Sequence, residues 1–226
     1  MNLNSQTFFS ISFVSLMSNN YNSVAFFYDA LNRVVFGKST VKSQVWLLEK
    51  IPAHAHVLII GGGTGWILEK LSGIHTEGLY ITYIESAQNM LNRSKRRDIK
   101  NNKINFVHQD AQNYIPETSF NVIITPFLFD NFSTEQVKHM IAHYFDHIDP
   151  GGLWLVTDYQ ITNKGKRWQK PLLDTMYTFF RLLSHVPVKK MPDIEGSFQE
   201  FKFEKQESKT FYGGFILSTI YQKRVK

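Results

Sequence analysis

Apolar segments of strand length alternate with amphipathic segments of helical length from about residue 40 to residue 158. The runs 57–60 and 122–124 are apolar at consecutive positions, which is typical of parallel strands covered on both faces. Strands that alternate with helices predict βαβ units around a parallel sheet. The predicted strands are 57–61, 79–84, 104–108, 120–125 and 152–158, and the predicted helices lie near 39–50, 64–73, 87–97 and 133–148.

The C-terminal part of the chain has a different pattern. Residues 197–207 and 210–221 both alternate between apolar and polar positions, so they predict an antiparallel strand pair that closes the sheet. Between strand 152–158 and this pair, residues 160–196 form a predicted insertion with one amphipathic helix near 168–185. We expect a single domain over 20–226, preceded by a disordered or mis-started extension at 1–19.

A glycine-rich turn follows the first predicted strand, because residues 61–65 are Gly-Gly-Gly-Thr-Gly. Glycine is required where the backbone takes positive φ or comes close to a ligand. A dinucleotide fingerprint would need a sixth-position glycine where Trp66 stands, and a P-loop would need Lys-Ser/Thr where Trp66-Ile67 follows Gly65. The remaining pattern, Gly-x-Gly-x-Gly, indicates a ligand-binding turn of another class.

This turn resembles the first motif of the class I S-adenosylmethionine-dependent methyltransferases. Its Gly-Gly-Thr-Gly form is most similar to the group related to the ubiquinone/menaquinone biosynthesis C-methyltransferases. Further similar segments follow the family's order and spacing: Phe27–Asn32 with Phe36-Gly37, Ile84–Leu91, Gln109–Ala111, Phe120–Ile124 and Pro150–Leu153. The resemblance implies a Rossmann-like, doubly wound α/β sheet of seven strands in the order 3-2-1-4-5-7-6, with S-adenosylmethionine as cofactor.

The resemblance also implies which residues contact the cofactor, beyond the carboxyl ends of the strands. The glycines would approach its methionine part, Glu85 would accept hydrogen bonds from the ribose hydroxyls, and Asp110-Ala111 would contact the adenine. Glu85 could instead be a charge at a helix N-terminus, and Asp110 a helix N-cap. The implied cofactor-binding residues are Tyr28, Gly61, Gly62, Gly63, Gly65, Glu85, Asp110, Ala111 and Thr125.

No catalytic residue is assigned, because methyl transfer needs a base only when the acceptor carries a proton. Asp130, Asp158 and Tyr159 follow strands 4 and 5 and are the candidates near the acceptor. His139, His143 and His147 share a helix face, but they lie away from the strand ends and lack a fourth ligand, so no metal site is predicted.

Composition bears on the acceptor and on location. The formal net charge of +6 arises in residues 160–226, which contain 13 Lys/Arg against 6 Asp/Glu. This positive charge and the apolar stripe of the inserted helix place the insertion 160–196 on the acceptor side and favour a small-molecule acceptor of anionic or lipophilic character. A nucleic-acid partner is not expected, because the sequence shows no known nucleic-acid module. The chain has no cysteine and no apolar run of membrane-spanning length, so we expect a cytoplasmic protein without integral membrane contact.

One alternative function remains open. The family usually has an acidic residue two positions before the first glycine, where this chain has Ile59, and it often has Asn or Asp at the position of Thr125. These departures also fit a catalytically weak, methyltransferase-like binding or partner protein.

Overall fold

The structure is a computed structural model that describes residues 36–184 and 191–225. The predicted extension at 1–19 and Tyr28 lie outside the described residues. The helices are α1 (Ser39–Leu48), α2 (Trp66–Ile74), α3 (Gln88–Ser94), α4 (Thr134–Phe145), α5 (Lys166–Ser184) and α6 (Ile194–Glu200), with a 3-10 helix at Phe129–Asn131. The strands are β1 (His56–Ile60), β2 (Glu77–Glu85), β3 (Asn101–His108), β4 (Phe120–Pro126), β5 (Ile148–Tyr159), β6 (Phe203–Phe211) and β7 (Ile216–Lys223).

The seven strands form one sheet in the order β3-β2-β1-β4-β5-β7-β6. Strands β1 to β5 are parallel where they pair, and β7 runs antiparallel between β5 and β6. This confirms the predicted fold and strand order. Strand β1 lies between β2 and β4, where the order of the parallel strands reverses, so the turn after β1 opens at the topological switch point.

Both faces of the sheet are covered, and β1 contributes to both cores. Val57 and Ile59 pack in one cluster with α1 and α2, whereas Leu58 and Ile60 pack in the other with α4 and α6. Successive side chains of a strand point to opposite faces. The continuous apolar run in β1 therefore reflects a strand buried on both sides.

The predicted C-terminal strand pair is correct in kind but wrong at its start. Residues 197–200 lie in helix α6, which begins where the Asp193 carboxylate accepts a hydrogen bond from the Gly196 amide at 2.9 Å. Phe198 is fully buried and stacks on Tyr221 of β7 at 4.0 Å between ring centroids. Phe198, Phe201 and Phe203 suggest the alternation of a strand, so the predicted strand began at residue 197. The residues before 201 are helical instead, because the Asp193 cap fixes the first turn of α6.

Strand β6 forms one border of the sheet and is polar along most of its length. Every residue from 204 to 210 is exposed, and charged side chains occupy most of these positions. Three of them form ion pairs: Glu207 with Lys50 at 2.8 Å, Glu204 with Arg224 at 2.7 Å and Lys205 with Glu195 at 3.1 Å.

The predicted inserted helix is α5, which begins at Lys166 rather than near 168. Its Leu173 and Met176 are buried against Tyr159 and Phe215, in a third apolar cluster at the β5–β7 end of the sheet. The apolar stripe of α5 thus covers the sheet beside the carboxyl end of β5.

Candidate functional site

The glycine-rich turn leaves the sheet directly after β1. The Gly61 amide still donates to the Ile84 carbonyl at 2.9 Å, in the manner of the parallel ladder. Gly61, Gly63 and Gly65 have φ angles of +69°, +63° and +78°, in the left-handed region that disfavours side chains. The sequence prediction of a turn that needs glycine is therefore confirmed at these positions.

Gly62 and Gly63 face different surroundings. A Cβ added at Gly62 would lie 2.4 Å from the Tyr83 ring, so glycine is required there by packing inside the protein. A Cβ at Gly63 would meet only the Met90 sulfur, at 3.8 Å. The space beside Gly63 is open, which suits a close approach by a ligand.

Glu85 ties the end of β2 to this turn. Its side chain is buried; one carboxylate oxygen accepts from the Gly63 amide at 3.0 Å and the other from the Ala87 amide at 2.9 Å. Burial raises the pKa of Glu85, and the hydrogen bonds from Ala87 and Gly63 oppose that rise. Both oxygens keep a further lone pair, since a carboxylate oxygen accepts more than one hydrogen bond.

Two residues that hold the turn were not identified from the sequence. The buried Tyr83 hydroxyl donates to the Gly63 carbonyl at 2.9 Å, and the Arg97 Nε donates to the Thr64 carbonyl at 2.9 Å. Tyr83 stands two residues before Glu85 on β2, and residues at that spacing share one face of a strand. This spacing could have drawn attention to Tyr83, whereas Arg97 follows α3 and no local pattern distinguishes it.

Asp110 and Ala111 lie just beyond β3. Asp110 is exposed; its carboxylate accepts from the Gln112 amide at 2.8 Å and its carbonyl from the Asn113 amide at 3.0 Å. These bonds form a local turn, and no helix begins here, so the alternative interpretation of Asp110 as a helix N-cap is wrong. The Ala111 carbonyl accepts from the Tyr144 hydroxyl at 2.7 Å, which fixes the segment against α4.

The Thr125 side chain is buried against Trp154 of the neighbouring strand β5. Thr125 is fully buried, and its hydroxyl accepts a hydrogen bond from Trp154 Nε1 on β5 at 3.2 Å. A contact of this position with a ligand would therefore have to come from its backbone.

Asp130 and Asp158 form a buried pair at the ends of β4 and β5. One Asp158 oxygen accepts from the Phe129 and Asp130 amides at 2.9 and 3.2 Å, and the other accepts from the Tyr159 amide at 2.8 Å. Burial raises the pKa of Asp158 to about 7. Burial, and secondly the charge of Asp158, raise the pKa of Asp130 well above its usual value.

The loop after β4 connects this pair to the glycine turn. Its backbone amides bind Asp158, while the Leu128 side chain packs on Gly61, where an added Cβ would lie 2.8 Å from Leu128 Cδ1. The glycine turn and the carboxylate pair thus lie on two sides of one short loop.

A cavity of about 500 Å³ lies beside the carboxylate pair, between β5, β7, α5 and the segment that leads into α6. Asp158 and Tyr159 of β5 and Tyr177 of α5 line it. Sequence reasoning placed an acceptor region in the insertion but did not predict a cavity.

His139 and His143 lie on helix α4, where His143 Nε2 contacts the Tyr114 carbonyl at 2.6 Å, whereas His147 lies in the turn between α4 and β5 and does not share their helix face. Within residues 36–184 and 191–225, no group of three or more metal-ligating side chains is positioned to hold a metal ion. No helix in this part of the chain is long and apolar enough to cross a membrane.

Residues 57–152 match a family model described as a methyltransferase domain. These residues contain β1 to β4, the glycine turn, Glu85 and the carboxylate pair's Asp130. This segment of 96 of the 226 residues is thus similar to a methyltransferase domain. Residues 153–159 complete β5, and the antiparallel β7 and β6 complete the seven-stranded sheet, whose strand order is that of the Rossmann-like methyltransferase fold.

Known proteins similar to this chain include a phosphoethanolamine N-methyltransferase from Plasmodium falciparum. It is 29% identical over 136 residues, which cover 60% of this chain and 48% of that enzyme. The match thus spans about half the length of the relative.

Solved structures share the fold at low identity. The N-methyltransferase NodS from Bradyrhizobium japonicum, in complex with S-adenosyl-L-homocysteine, superposes with a TM-score of 0.57 at 15% identity over 80% of this chain and 84% of that one. The cyclopropane synthase MmaA2 from Mycobacterium tuberculosis superposes with a TM-score of 0.61 at 10% identity over 80% and 82% of the two chains.

Proposed function

We propose that this protein transfers a methyl group from S-adenosylmethionine to a small-molecule acceptor. The observation that carries the proposal is the pairing of an open backbone position at Gly63 with the buried Glu85 carboxylate, at the switch point of a methyltransferase sheet. The bound S-adenosyl-L-homocysteine in the similar NodS structure supports the same cofactor here.

The residues of the turn fit this cofactor. Three glycines with positive φ give the backbone its curvature, and the space beside Gly63 admits the ligand. The free lone pairs of the Glu85 carboxylate can accept hydrogen bonds from the ribose hydroxyls, while its bonds to the Gly63 and Ala87 amides hold the turn. Tyr83 and Arg97 hold the carbonyls of the turn and so preorganise it. Asp110 and Ala111 remain proposed adenine contacts, and Tyr28 and the backbone of Thr125 remain proposed cofactor contacts.

S-adenosylmethionine supplies a methyl group that is already electrophilic, so the protein has mainly to align the acceptor and exclude water. An acceptor that carries a proton at neutral pH also needs a base. Asp158, with a pKa raised to about 7, can hold or release a proton near neutrality at the acceptor side of the loop after β4.

Other features of the function are proposals of finer detail. The Gly-Gly-Thr-Gly turn supports the ubiquinone/menaquinone-related subgroup, whereas the N-methyltransferase relative supports a nitrogen acceptor. The exposed Lys164, Lys166 and Arg167 at the start of α5 support attraction of an anionic or membrane-held acceptor.

A cytoplasmic location is proposed from the cysteine-free composition. The match to a methyltransferase domain favours the enzyme over a catalytically weak binding protein.

Titration calorimetry with S-adenosylmethionine and with S-adenosylhomocysteine tests the proposal. We expect one site per chain with micromolar affinity, or about −8 kcal/mol. Gly63→Val should abolish binding, since a branched side chain would fill the ligand's space and strain a backbone at φ +63°. Gly73→Val is the matched control, because Gly73 lies in α2 with nothing within 4 Å of an added Cβ.

A second variant separates the cofactor role of Glu85 from its role in the turn. Glu85→Ala should weaken binding by about 1.5 to 3 kcal/mol, the usual worth of hydrogen bonds to a charged group. Glu77→Ala, an exposed acid at the start of the same strand, should leave affinity unchanged. If neither cofactor form binds the folded wild-type chain at millimolar concentration, the proposed function is wrong.

A further inference from the structure

The charged side chains that line the cavity are mostly acidic. They are Asp158, Asp174, Asp193 and Glu195, against Lys170 alone. Lys170 is paired with Asp174 at 2.8 Å, and Glu195 is paired with Lys205 at 3.1 Å, both in exposed ion pairs that contribute little binding energy. The negative charge left over lies on Asp158 and Asp193.

The deepest of these carboxylates has no cationic partner in the described part of the chain. Asp158 is 2% exposed and Asp130 is 8% exposed. Among residues 36–178 and 191–225, no lysine, arginine or histidine forms an ion pair with either side chain. Two adjacent buried carboxylates are costly unless they are neutralised, by a shared proton or by a cation that comes from a ligand.

A second and independent observation comes from α5. The Tyr177 hydroxyl oxygen is buried, and no hydrogen-bond partner for it exists among the described residues. Tyr177 lines the same cavity as Asp158. Burial raises its pKa, and the negative charges of Asp130, Asp158 and Asp174 raise it further, so the hydroxyl stays protonated beside them. A buried hydroxyl without a partner is unusual, and a ligand with a polar head would satisfy it.

The rest of the lining is mostly apolar or aromatic, with Gln160 and Thr219 as its polar members. Tyr159 and Tyr221 join Tyr177, and tyrosine rings attract cations through their faces. The aliphatic side chains come from both strands and both flanking segments: Val156, Ile161, Leu173, Met191, Ile194 and Leu217. The cavity therefore combines a carboxylate and a tyrosine hydroxyl with a largely apolar lining.

We propose that this cavity binds a protonated amine with an apolar body, its ammonium group against Asp158 and Tyr177. The inference rests on the proposed function, since it names the acceptor class for the same reaction. An ammonium nitrogen has no lone pair, so the Asp158 carboxylate would take one of its protons; the nitrogen would then bond to the methyl carbon as the carbon–sulfur bond of the cofactor breaks.

The loop after β4 links this cavity to the glycine turn, because its amides bind Asp158 and its Leu128 packs on Gly61. Lys164, Lys166 and Arg167 are exposed and do not line the cavity, so they act at the protein surface and not on the head group of the ligand.

Matched small ligands test the charge preference with the full chain. Phenethylamine, 2-phenylethanol and 3-phenylpropanoate share one apolar body and differ in head-group charge. Their affinities are measured by calorimetry in the presence of saturating S-adenosylhomocysteine, with hexylamine and hexanol as a second pair. We expect each amine to bind about tenfold or more tightly than its alcohol, and the carboxylate to bind most weakly.

Three variants assign that preference to the named groups. Asp158→Asn removes the carboxylate that lines the cavity, Asp130→Asn removes the carboxyl group of its buried neighbour without touching the amides that Asp158 binds, and Tyr177→Phe removes only the hydroxyl. Asp158→Asn and Asp130→Asn should each reduce the amine-to-alcohol ratio by about fivefold or more, and Tyr177→Phe by about threefold. Asp146→Asn, an exposed acid at the end of α4, should retain the wild-type ratio.

The outcomes separate the two claims. S-adenosylhomocysteine binding with equal affinity for amines and alcohols, or with no measurable amine binding, would overturn the cavity assignment and leave the proposed function standing. A charge preference that survives both aspartate variants would overturn it as well. Failure of the chain to bind S-adenosylhomocysteine would instead overturn the proposed function, and this inference with it.

Discussion

The Tyr83 hydroxyl donates a hydrogen bond to the Gly63 carbonyl over 2.9 Å. Two residues further along β2, Glu85 accepts a hydrogen bond from the amide of the same glycine at 3.0 Å. Strand β2 thus holds both the amide and the carbonyl of Gly63, the residue that a ligand can approach most closely. The shape of the turn is set by its neighbour in the sheet as well as by its glycines.

Tyr83→Phe should therefore weaken binding of S-adenosylhomocysteine while the fold is retained. The ring still packs beneath Gly62, but the Gly63 carbonyl loses its partner and the turn is less constrained. We expect a loss of about 0.5 to 1.5 kcal/mol, the net worth of one hydrogen bond, measured by calorimetry. Tyr80→Phe is the control, because Tyr80 lies on the same strand and is 46% exposed. Equal affinities in all three proteins would contradict a role for Tyr83 in positioning the turn.

Gly62→Ala should destabilise the protein, whereas Gly73→Ala should not. An added Cβ at Gly62 would lie 2.4 Å from the fully buried Tyr83 ring, and overpacking of this kind costs about 1 to 3 kcal/mol. Gly73 lies in α2 with open space around it, and alanine there should gain about 0.5 to 1 kcal/mol. Urea unfolding measures both; a stable Gly62→Ala variant would show that Tyr83 can move aside.

Thr125→Val should lower stability and leave cofactor affinity unchanged. Valine keeps the shape of threonine but leaves the buried Trp154 Nε1 without its acceptor, at a cost of about 1 to 3 kcal/mol. Thr125→Ser retains the hydroxyl and controls for the loss of packing. The opposite result, a normal free energy of unfolding with weaker S-adenosylhomocysteine binding, would place the Thr125 hydroxyl in contact with the ligand.

Stability should fall as the pH rises toward neutrality, and Asp130→Asn should reduce this fall. The pKa of Asp158 is raised from 3.8 to about 7, so within that window the folded state binds more protons than the unfolded state. The free energy of unfolding then decreases with rising pH. Replacing Asp130 removes one of the two raised carboxyls, and the fall should shrink by at least about 1.4 kcal/mol, the equivalent of one pKa unit.

Urea unfolding at about pH 5 and about pH 8 measures the effect. Glu85, whose pKa is also raised by burial, contributes equally to both proteins and cancels in the comparison. Asp146→Asn should keep the wild-type pH dependence. A pH dependence that is the same in Asp130→Asn and in the wild type would show that the pair is not protonated on folding.

The parts of the site that follow from local chemistry could be predicted from the sequence. Four glycines after a β-branched strand admit few structures, and Glu85 ends the next strand at a fixed distance from them. The contacts of Tyr83 and Arg97 could not be predicted, because they depend on how β2 and α3 lie against the turn. Asp130 and Asp158 were candidates as single residues, but their pairing arises only when β4 and β5 lie side by side.

Two further positions show where sequence patterns mislead. Thr125 follows a run that is apolar at every position, so the run does not reveal which face each residue occupies. Phe198 belongs to a seven-residue helix, which is too short for a helical period to outweigh the alternating residues after it. In both cases the neighbouring aromatic side chains, Trp154 and Tyr221, decide the outcome.

Among the residues that the structure describes, strand β6 leaves a row of unpaired backbone groups at one border of the sheet. Such a border is a template for adding a strand from another molecule, which is a common route to aggregation. Here Glu204, Lys205, Glu207 and Lys209 stand along it, so a second copy added parallel and in register would bring like charges together. We therefore expect the sheet to end at β6 even at the high protein concentrations that calorimetry and crystallisation require.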